Sequence, residues 1–571
     1  MPLPSEAGER PRVGGADIAL QRLACGRRVL PNPPNRGTGR KTMQRRLLLA
    51  AFAALPLAAA PAARAATPPD TVVIAKQIDD IITLDPGEDY ELSGVEIATN
   101  VYDRLLRYEA EDVSKLVGGV AESWTVSPDG KVFTFKLRPG QVFQDGAPLT
   151  AEDAAFSLQR VVIMDKTPAF LLDQLGWTKD NVKDQVKATA PDTLQFTITT
   201  ELAPSLVLNL MTSIVASVVE KKVALEHEDK GDFGNAWLKS HSAASGPYRL
   251  VAWKPNESVI LEANPKFRLG APANRRVIVR HVPETAAQLL LLQKGDIDIA
   301  RDLSPDQLAT LGGDKDIKVE SFPGSDSWYI SLNTADERLK NPKVRQALKY
   351  LVDYQGMTDS FLKGRFFTHE TFLPQGFLGA LDYNPFKFDV AKAKSLLADA
   401  GYPNGFDLKL DAPNTSPFTE IAQSVQQTFG EAGVKVSIVP QELKAVLGVY
   451  RSRKHQALLV SWGPDYFDPH TNADSFARNT DNSDKPATKP LAWRNSWYIP
   501  EISKETAEAA KELDTAKRVT LYEDLQRKVT DDGPFILMFQ TSQPVAARSN
   551  VTGFKAGLTE DITFYRLTAK H

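Results

Sequence analysis

The sequence predicts a mixed α/β protein of more than one domain, and three observations carry that reading. The chain has 571 residues, 42% of them hydrophobic and 24% charged, which is enough apolar material for sizeable cores and too much length for one. Strand-like runs with period-two alternation recur between segments of helical spacing along the chain. Near the middle, FDLKLDAP (406–413) and VKVSIVPQE (434–442) bracket a helical stretch around 417–432, a strand-helix-strand unit of the kind that builds α/β layers. No internal repeat is visible.

Taken in order, VVIAKQI (72–78) reads as a short apolar strand. GVEIATNVYDRLLRYE (94–109) carries helical spacing at Ile97, Val101, Leu105 and Leu106. In SWTVSPDGKVFTFKLRPG the turn Ser127-Pro128-Asp129-Gly130 separates two strands, and Trp124, Phe133 and Phe135 are expected to pack a core. Thr150 and Asp153 form a capping box ahead of the helix AEDAAFSLQRVV. Hairpins follow at 186–200 and at 246–264, the second turning at Pro255-Asn256. PETAAQLLLLQKGDIDIA (283–300) reads as a helix stopped near Gly295 and then a strand. Asn341 and Pro342 start KVRQALKYLVD, where Arg345 is expected to be an ion-pair partner, and Asp389 opens VAKAKSLLADAG, closed by Gly401.

The N-terminus belongs to targeting rather than to the fold. Met43-Gln44-Arg45-Arg46 precedes LLLAAFAALPLAAAPAARA, giving a basic region, an apolar region and a small-residue site Ala63-Arg64-Ala65, which together read as a cleaved secretory signal over 43–65. Residues 1–42 read as a disordered or non-native leader. Arg45-Arg46 permits twin-arginine export, but its surroundings fit general secretion better. The first 65 residues hold 11 Lys/Arg and 3 Asp/Glu, so the remainder carries 57 against 68, a net charge of −11. That balance disfavours nonspecific binding of nucleic acid or anionic lipid. The single cysteine, Cys25, lies in the removed part, so no disulfide and no lipid anchor are expected.

Enzyme and metal signatures are missing where they would be sought. GTGRKT (37–42) lacks the first glycine of a phosphate loop and a preceding strand. The histidines at 227, 241, 281, 369, 455, 470 and 571 form no HExxH pair and no close metal-ligand spacing, and there is no GxSxG elbow. Neither a protein-built metal site nor a cofactor is expected, and a hydrolase has no visible nucleophile.

The stretches LVGGVAESWTVSPDGKVFTFKLRPGQVFQDGAPLTAEDAAFSL, SGPYRLVAWKPNESVILEANPKF, LQKGDIDIA, NPKVRQALKYLVD, AKAKSLLADAGYPNGFDLKL and WGPDYFDP occur in one order over roughly 70–568. In this the chain resembles family 5 of the extracytoplasmic solute-binding proteins, which serve peptide, oligopeptide and nickel ABC importers. The resemblance implies a hinged, type II-like periplasmic binding protein fold of two α/β lobes, with an additional domain in the first lobe. The expected base lobe is 66–105, 242–325 and 536–571, the extra domain 106–241 and the second lobe 326–535. The crossings between lobes are expected at 321–327, SFPGSDS, and 533–540, GPFILMFQ. The implied protein is a periplasmic monomer that is not an enzyme, partnered by a small peptide and by the permease subunits of the inner membrane.

The irregular stretch SWGPDYFDP (461–469) follows a buried strand-like run, HQALLV, and so falls where open α/β sheets bind ligands. In peptide-binding relatives an aspartate just after this strand holds the ligand's α-ammonium, and Asp465 occupies the matching position. Trp462, Gly463 and Tyr466 join it in the expected ligand wall, with Trp462 and Tyr466 adding apolar area and cation-π attraction. The loop 79–94 resembles the family's first cleft loop and offers Tyr90, while Trp328 stands at a crossing where it either touches ligand or packs. Asp468-Pro469 reads as loop punctuation. No arginine matches a fixed clamp for a peptide carboxylate. Two alternatives stand beside the peptide reading: a nickel-chelate or opine-like ligand, for which His470 would matter, and an exported hydrolase.

Overall fold

The computed structural model describes residues 67–109, 115–486 and 488–571. The expected leader, the signal segment, Cys25 and GTGRKT lie outside the described residues. Among those described, no helix is long and apolar enough to cross a membrane.

The chain folds into two lobes that share one sheet of eleven strands. Two long strands, Ile317–Leu332 and Phe535–Arg548, run antiparallel through both lobes, from the pair Ile317–Arg548 to the pair Ser331–Phe535. On the first-lobe side, Ala546 and Ala547 pair with Ile299–Ala300, and then come Thr71–Lys76, Arg276–His281, Ser258–Ala263 and Tyr248–Lys254. On the second-lobe side, Ser327 to Leu332 pair with Ala457–Trp462, followed in parallel by Asp407–Pro413 and Lys435–Gln441. The helix Phe418–Glu431 closes that last strand-helix-strand unit.

The middle of Ile317–Leu332 is where the lobes meet. The ladder breaks between Pro323 and Ser327, so Gly324, Ser325 and Asp326 leave the regular register. Side chains take over there: Gln540 Nε2 donates to the Gly324 carbonyl at 2.7 Å, and Thr541 Oγ1 accepts from Asp326 N at 3.3 Å. The segment SFPGSDS, expected as a crossing between lobes, contains the irregular centre of a 16-residue strand.

An antiparallel four-stranded sheet, built from Ala121–Val126, Val132–Leu137, Thr193–Thr197 and Val186–Ala190, is added to the first lobe. Its Phe133 and Phe135 are fully buried and share one apolar cluster with Val72, Ile74 and Tyr248 of the large sheet. In the second lobe the period-two alternation of a strand serves two cores: Ile330 and Leu332 face one cluster, Tyr329 the other.

Two expectations fail locally. The helical spacing through Leu105 and Leu106 stops early, because the helix is Leu92–Val101 and Leu106–Tyr108 is a strand paired with Leu116–Gly118. Tyr102 is already extended, and the carbonyls of Val101, Asp103 and Arg104 accept from Gly246, Val218 and Val120 instead of from a next helical turn. Arg345 is not an ion-pair partner: its guanidinium donates to the carbonyls of Asp532, Leu339 and Lys340 at 2.6–3.0 Å. Beside it, buried Lys349 donates to the carbonyls of Thr530 and Gly533 at 2.6 and 3.0 Å, so both cations cap the C-terminus of the helix Thr515–Asp532.

Orphaning buried carbonyls costs roughly 1–3 kcal/mol, so Lys349→Met should destabilise the fold by about 2 kcal/mol or more in urea denaturation. Lys343→Met, on the exposed face of the same helix, should stay within about 0.5 kcal/mol.

Candidate ligand-binding site

A cavity of about 320 Å³ lies between the lobes, over the irregular centre of the shared strands. The first lobe contributes Tyr90, Leu92 and Val95 from one side and Thr559, Glu560 and Asp561 from the C-terminal tail. Ser325 and Asp326 come from the shared strand, and Trp462, Gly463, Asp465 and Tyr466 from the second lobe.

Each wall is held by its own anchors. The loop carrying Tyr90 is fixed by Asp85, whose buried carboxylate takes both Nη atoms of Arg160 at 2.8 and 2.6 Å, and by Asp80, which accepts from Ser93 N at 2.9 Å. Opposite, the strand Ala457–Trp462 ends and its next residues turn along the cavity. Trp462 meets Phe476 edge-on at 5.7 Å, and Thr471 Oγ1 accepts from Asp465 N at 3.1 Å. Gly463 passes directly against the hinge: a Cβ there would lie 2.5 Å from Asp326 Oδ1, so any larger residue would displace the Asp326 carboxylate.

Asp465 is the centre of the second-lobe wall. Tyr90 spans the cavity and donates its hydroxyl to Asp465 Oδ1 at 2.5 Å. Burial raises the Asp465 carboxyl above its usual value, with the Tyr90 hydrogen bond opposing and the charge of Asp474 adding to the rise. A partly desolvated carboxylate held by one neutral donor is an acceptor with unused capacity.

A second set of contacts joins the lobes outside the cavity. Asp468, fully buried, accepts both Nη groups of buried Arg518 at 2.6 and 2.9 Å and the amide of Asn209, from the first lobe, at 2.8 Å. It also caps the helix Pro469–Phe476 through His470 N at 2.9 Å. Burial pushes the Asp468 carboxyl up, but the Arg518 charge and hydrogen bonds outweigh it and the net displacement is downward. Tyr108, bonded to Asn209, donates to the Phe467 carbonyl at 3.0 Å.

The sequence matches the model of the bacterial extracellular solute-binding proteins, family 5 (middle region), over residues 115–484. The chain belongs to that family. This family 5 protein is 29% identical over 502 residues to the probable D,D-dipeptide-binding periplasmic protein DdpA of Escherichia coli K12, covering 86% of this chain and 93% of that one. It is 27% identical to the glutathione-binding protein GsiB of Pectobacterium atrosepticum, over 90% and 96% of the two chains. Its fold matches that of the ABC transporter-associated periplasmic binding protein DppA from Helicobacter pylori with TM-score 0.70 and 23% identity, over 88% and 98%.

In this family 5 protein the cavity brings together Tyr90, Trp462, Gly463, Asp465 and Tyr466. Tyr466 does so while largely buried in the first lobe's apolar cluster, its hydroxyl 3.4 Å from Gln174 Oε1. Trp328 is the exception. It stacks on Phe418 at 4.1 Å and meets Phe366 edge-on at 5.0 Å inside the second-lobe core, so of its two expected roles the structure gives packing. Asp468 is no loop punctuation, as the ion pair with Arg518 shows. Asp326, Glu560 and Asp561 line the cavity without having been singled out, because tail and hinge meet only in the folded chain.

Proposed function

We propose that this family 5 protein is an exported, monomeric periplasmic receptor of an ABC importer, which captures a short peptide or a related amine-bearing solute and presents it to the membrane permease. The observation that carries the reading is Asp465 facing Tyr90 across the inter-lobe cavity. An ammonium placed there finds an ionised acceptor on one lobe and a hydroxyl and ring on the other. It can use both only while the lobes are together. Ligand then favours the closed form by its differential affinity for the two states, and a closed form is a surface that a permease can recognise.

The volume suits a short ligand, since about 320 Å³ is at the small end of small-molecule sites. The names of the relatives, a D,D-dipeptide binder and a glutathione binder, fit a ligand of that size and an amine. The nickel-chelate reading loses its candidate side chain: His470 is buried beside Asp474, 3.9 Å away, and does not line the cavity.

Native mass spectrometry of protein purified from periplasm, before and after denaturation, tests the reading. Masses of short peptides or small amines leaving the protein are the expected result. A metal-chelate mass, or a product formed from an added peptide, would overturn it.

A further inference from the structure

The cavity walls carry four carboxyl groups, Asp326, Asp465, Glu560 and Asp561, and neither lysine nor arginine is among the lining residues. Among the described residues, Asp561 alone of the four is in an ion pair, with Arg104 at 3.6 Å. No hydrogen bond or ion pair from another described residue reaches the side chain of Asp326 or of Glu560. The cations behind Glu560, Lys76 and Arg301, are both held by Glu96 at 2.6 and 3.0 Å, and neither lines the cavity.

Resting on the proposed function, we infer that the cavity takes a ligand with two cationic groups, one at Asp465 and Tyr90 and a second at a subsite made by Asp326 and Glu560. The two acids come from different parts of the fold, the hinge strand and the C-terminal tail. Closing such a cavity over an uncharged or acidic group leaves buried carboxylates unpaired, which is costly. A second ammonium or guanidinium removes that cost. The chemistry is shared by a dipeptide with a basic side chain and by a diamine, and the carboxylate of a peptide would have to point away from these walls.

The subsite also sets a pH dependence. Burial raises the Glu560 carboxyl to about 7, with Lys76 opposing and Asp326 and Glu96 adding to the rise. Arg301 is the other charge that faces it. A ligand that stays dicationic over this range, such as 1,5-diaminopentane, favours the ionised carboxylate, so its affinity rises as pH goes from 6 to 8.

Isothermal titration of the exported protein with Ala-Ala, Ala-Lys, Ala-Glu and 1,5-diaminopentane tests the inference. Ala-Lys should bind at least tenfold more tightly than Ala-Ala, and more tightly again than Ala-Glu. Asp326→Asn and Glu560→Gln should each shrink the Ala-Lys to Ala-Ala ratio, and the pair together should bring it below threefold, with Glu560→Gln also flattening the pH profile. Thermal unfolding of each variant checks that it folds, and the two single variants serve independently. Tighter binding of the diamine than of Ala-Lys would support the dication and assign it to polyamines, overturning the peptide source. Equal affinity for the three dipeptides would overturn the second subsite while leaving the peptide receptor standing. No binding of any amine probe would remove the receptor reading itself.

Discussion

Arg518→Met should destabilise the protein by about 3–5 kcal/mol, the cost of leaving a fully buried carboxylate without its partner. Asp468 would keep only the Asn209 amide and the His470 main-chain N–H as donors in a place closed to water. The double variant Arg518→Met/Asp468→Asn should recover a large part of the loss, because no buried charge remains and the Asn oxygen still accepts from the helix terminus. Urea denaturation of the three variants against the parent measures this. Since the folded-state carboxyl lies below its unfolded value, the pair's stabilisation is present above pH about 4 and is lost as pH falls through the folded value. Additive losses in the double variant would show that the two groups do not act as a pair.

Asp465→Asn should weaken any ligand with a free amino terminus by tenfold or more, about 1.4 kcal/mol at least, while leaving the unfolding midpoint nearly unchanged. The Asn oxygen still accepts from Tyr90, so the loss isolates the charge. An N-acetylated dipeptide supplies the control: the parent should prefer the free dipeptide, and Asp465→Asn should bind the two alike. Calorimetry with both ligands on both proteins decides it. An unchanged preference in the variant would take Asp465 out of the ammonium site.

Much of the second-lobe wall was legible in the sequence, because the residues of SWGPDYFDP are consecutive and follow a strand whose end had to face the cleft. Local signals were reliable where local physics decides. The capping box at Thr150 and Asp153 forms, with Asp153 Oδ2 accepting from Thr150 N at 2.9 Å, and Asn341, Pro342 and Gly295 act at helix ends as expected. The failures have the opposite origin. Ile97, Val101 and Leu105 satisfy helical spacing whether or not the chain continues as a helix, and the chain extends at Tyr102 where its neighbours' carbonyls are taken by the main-chain N–H groups of Gly246, Val218 and Val120. Arg345 was read by residue type, whereas carbonyls fix it; Trp328 was placed at a crossing with two roles open, and aromatic neighbours far along the chain give it packing. The acidity of the cavity was invisible for the same reason, since Asp326 and Glu560 are over 200 positions apart and meet only through the two long strands.

The proposed capture is a closure of two lobes about the Ile317–Leu332 and Phe535–Arg548 strands. The chain's single cysteine is Cys25, so a protein produced from residue 66 onward has no native thiol to compete with an introduced label. Leu290 in the first lobe and Leu443 in the second are 50% and 48% exposed. Spin labels at Leu290→Cys and Leu443→Cys would report the inter-lobe distance by pulsed electron resonance. With a saturating dipeptide the distribution should narrow to one short-distance population drawn from a broader or longer one. An identical distribution with and without bound dipeptide, binding being verified by calorimetry on the same sample, would contradict capture by closure.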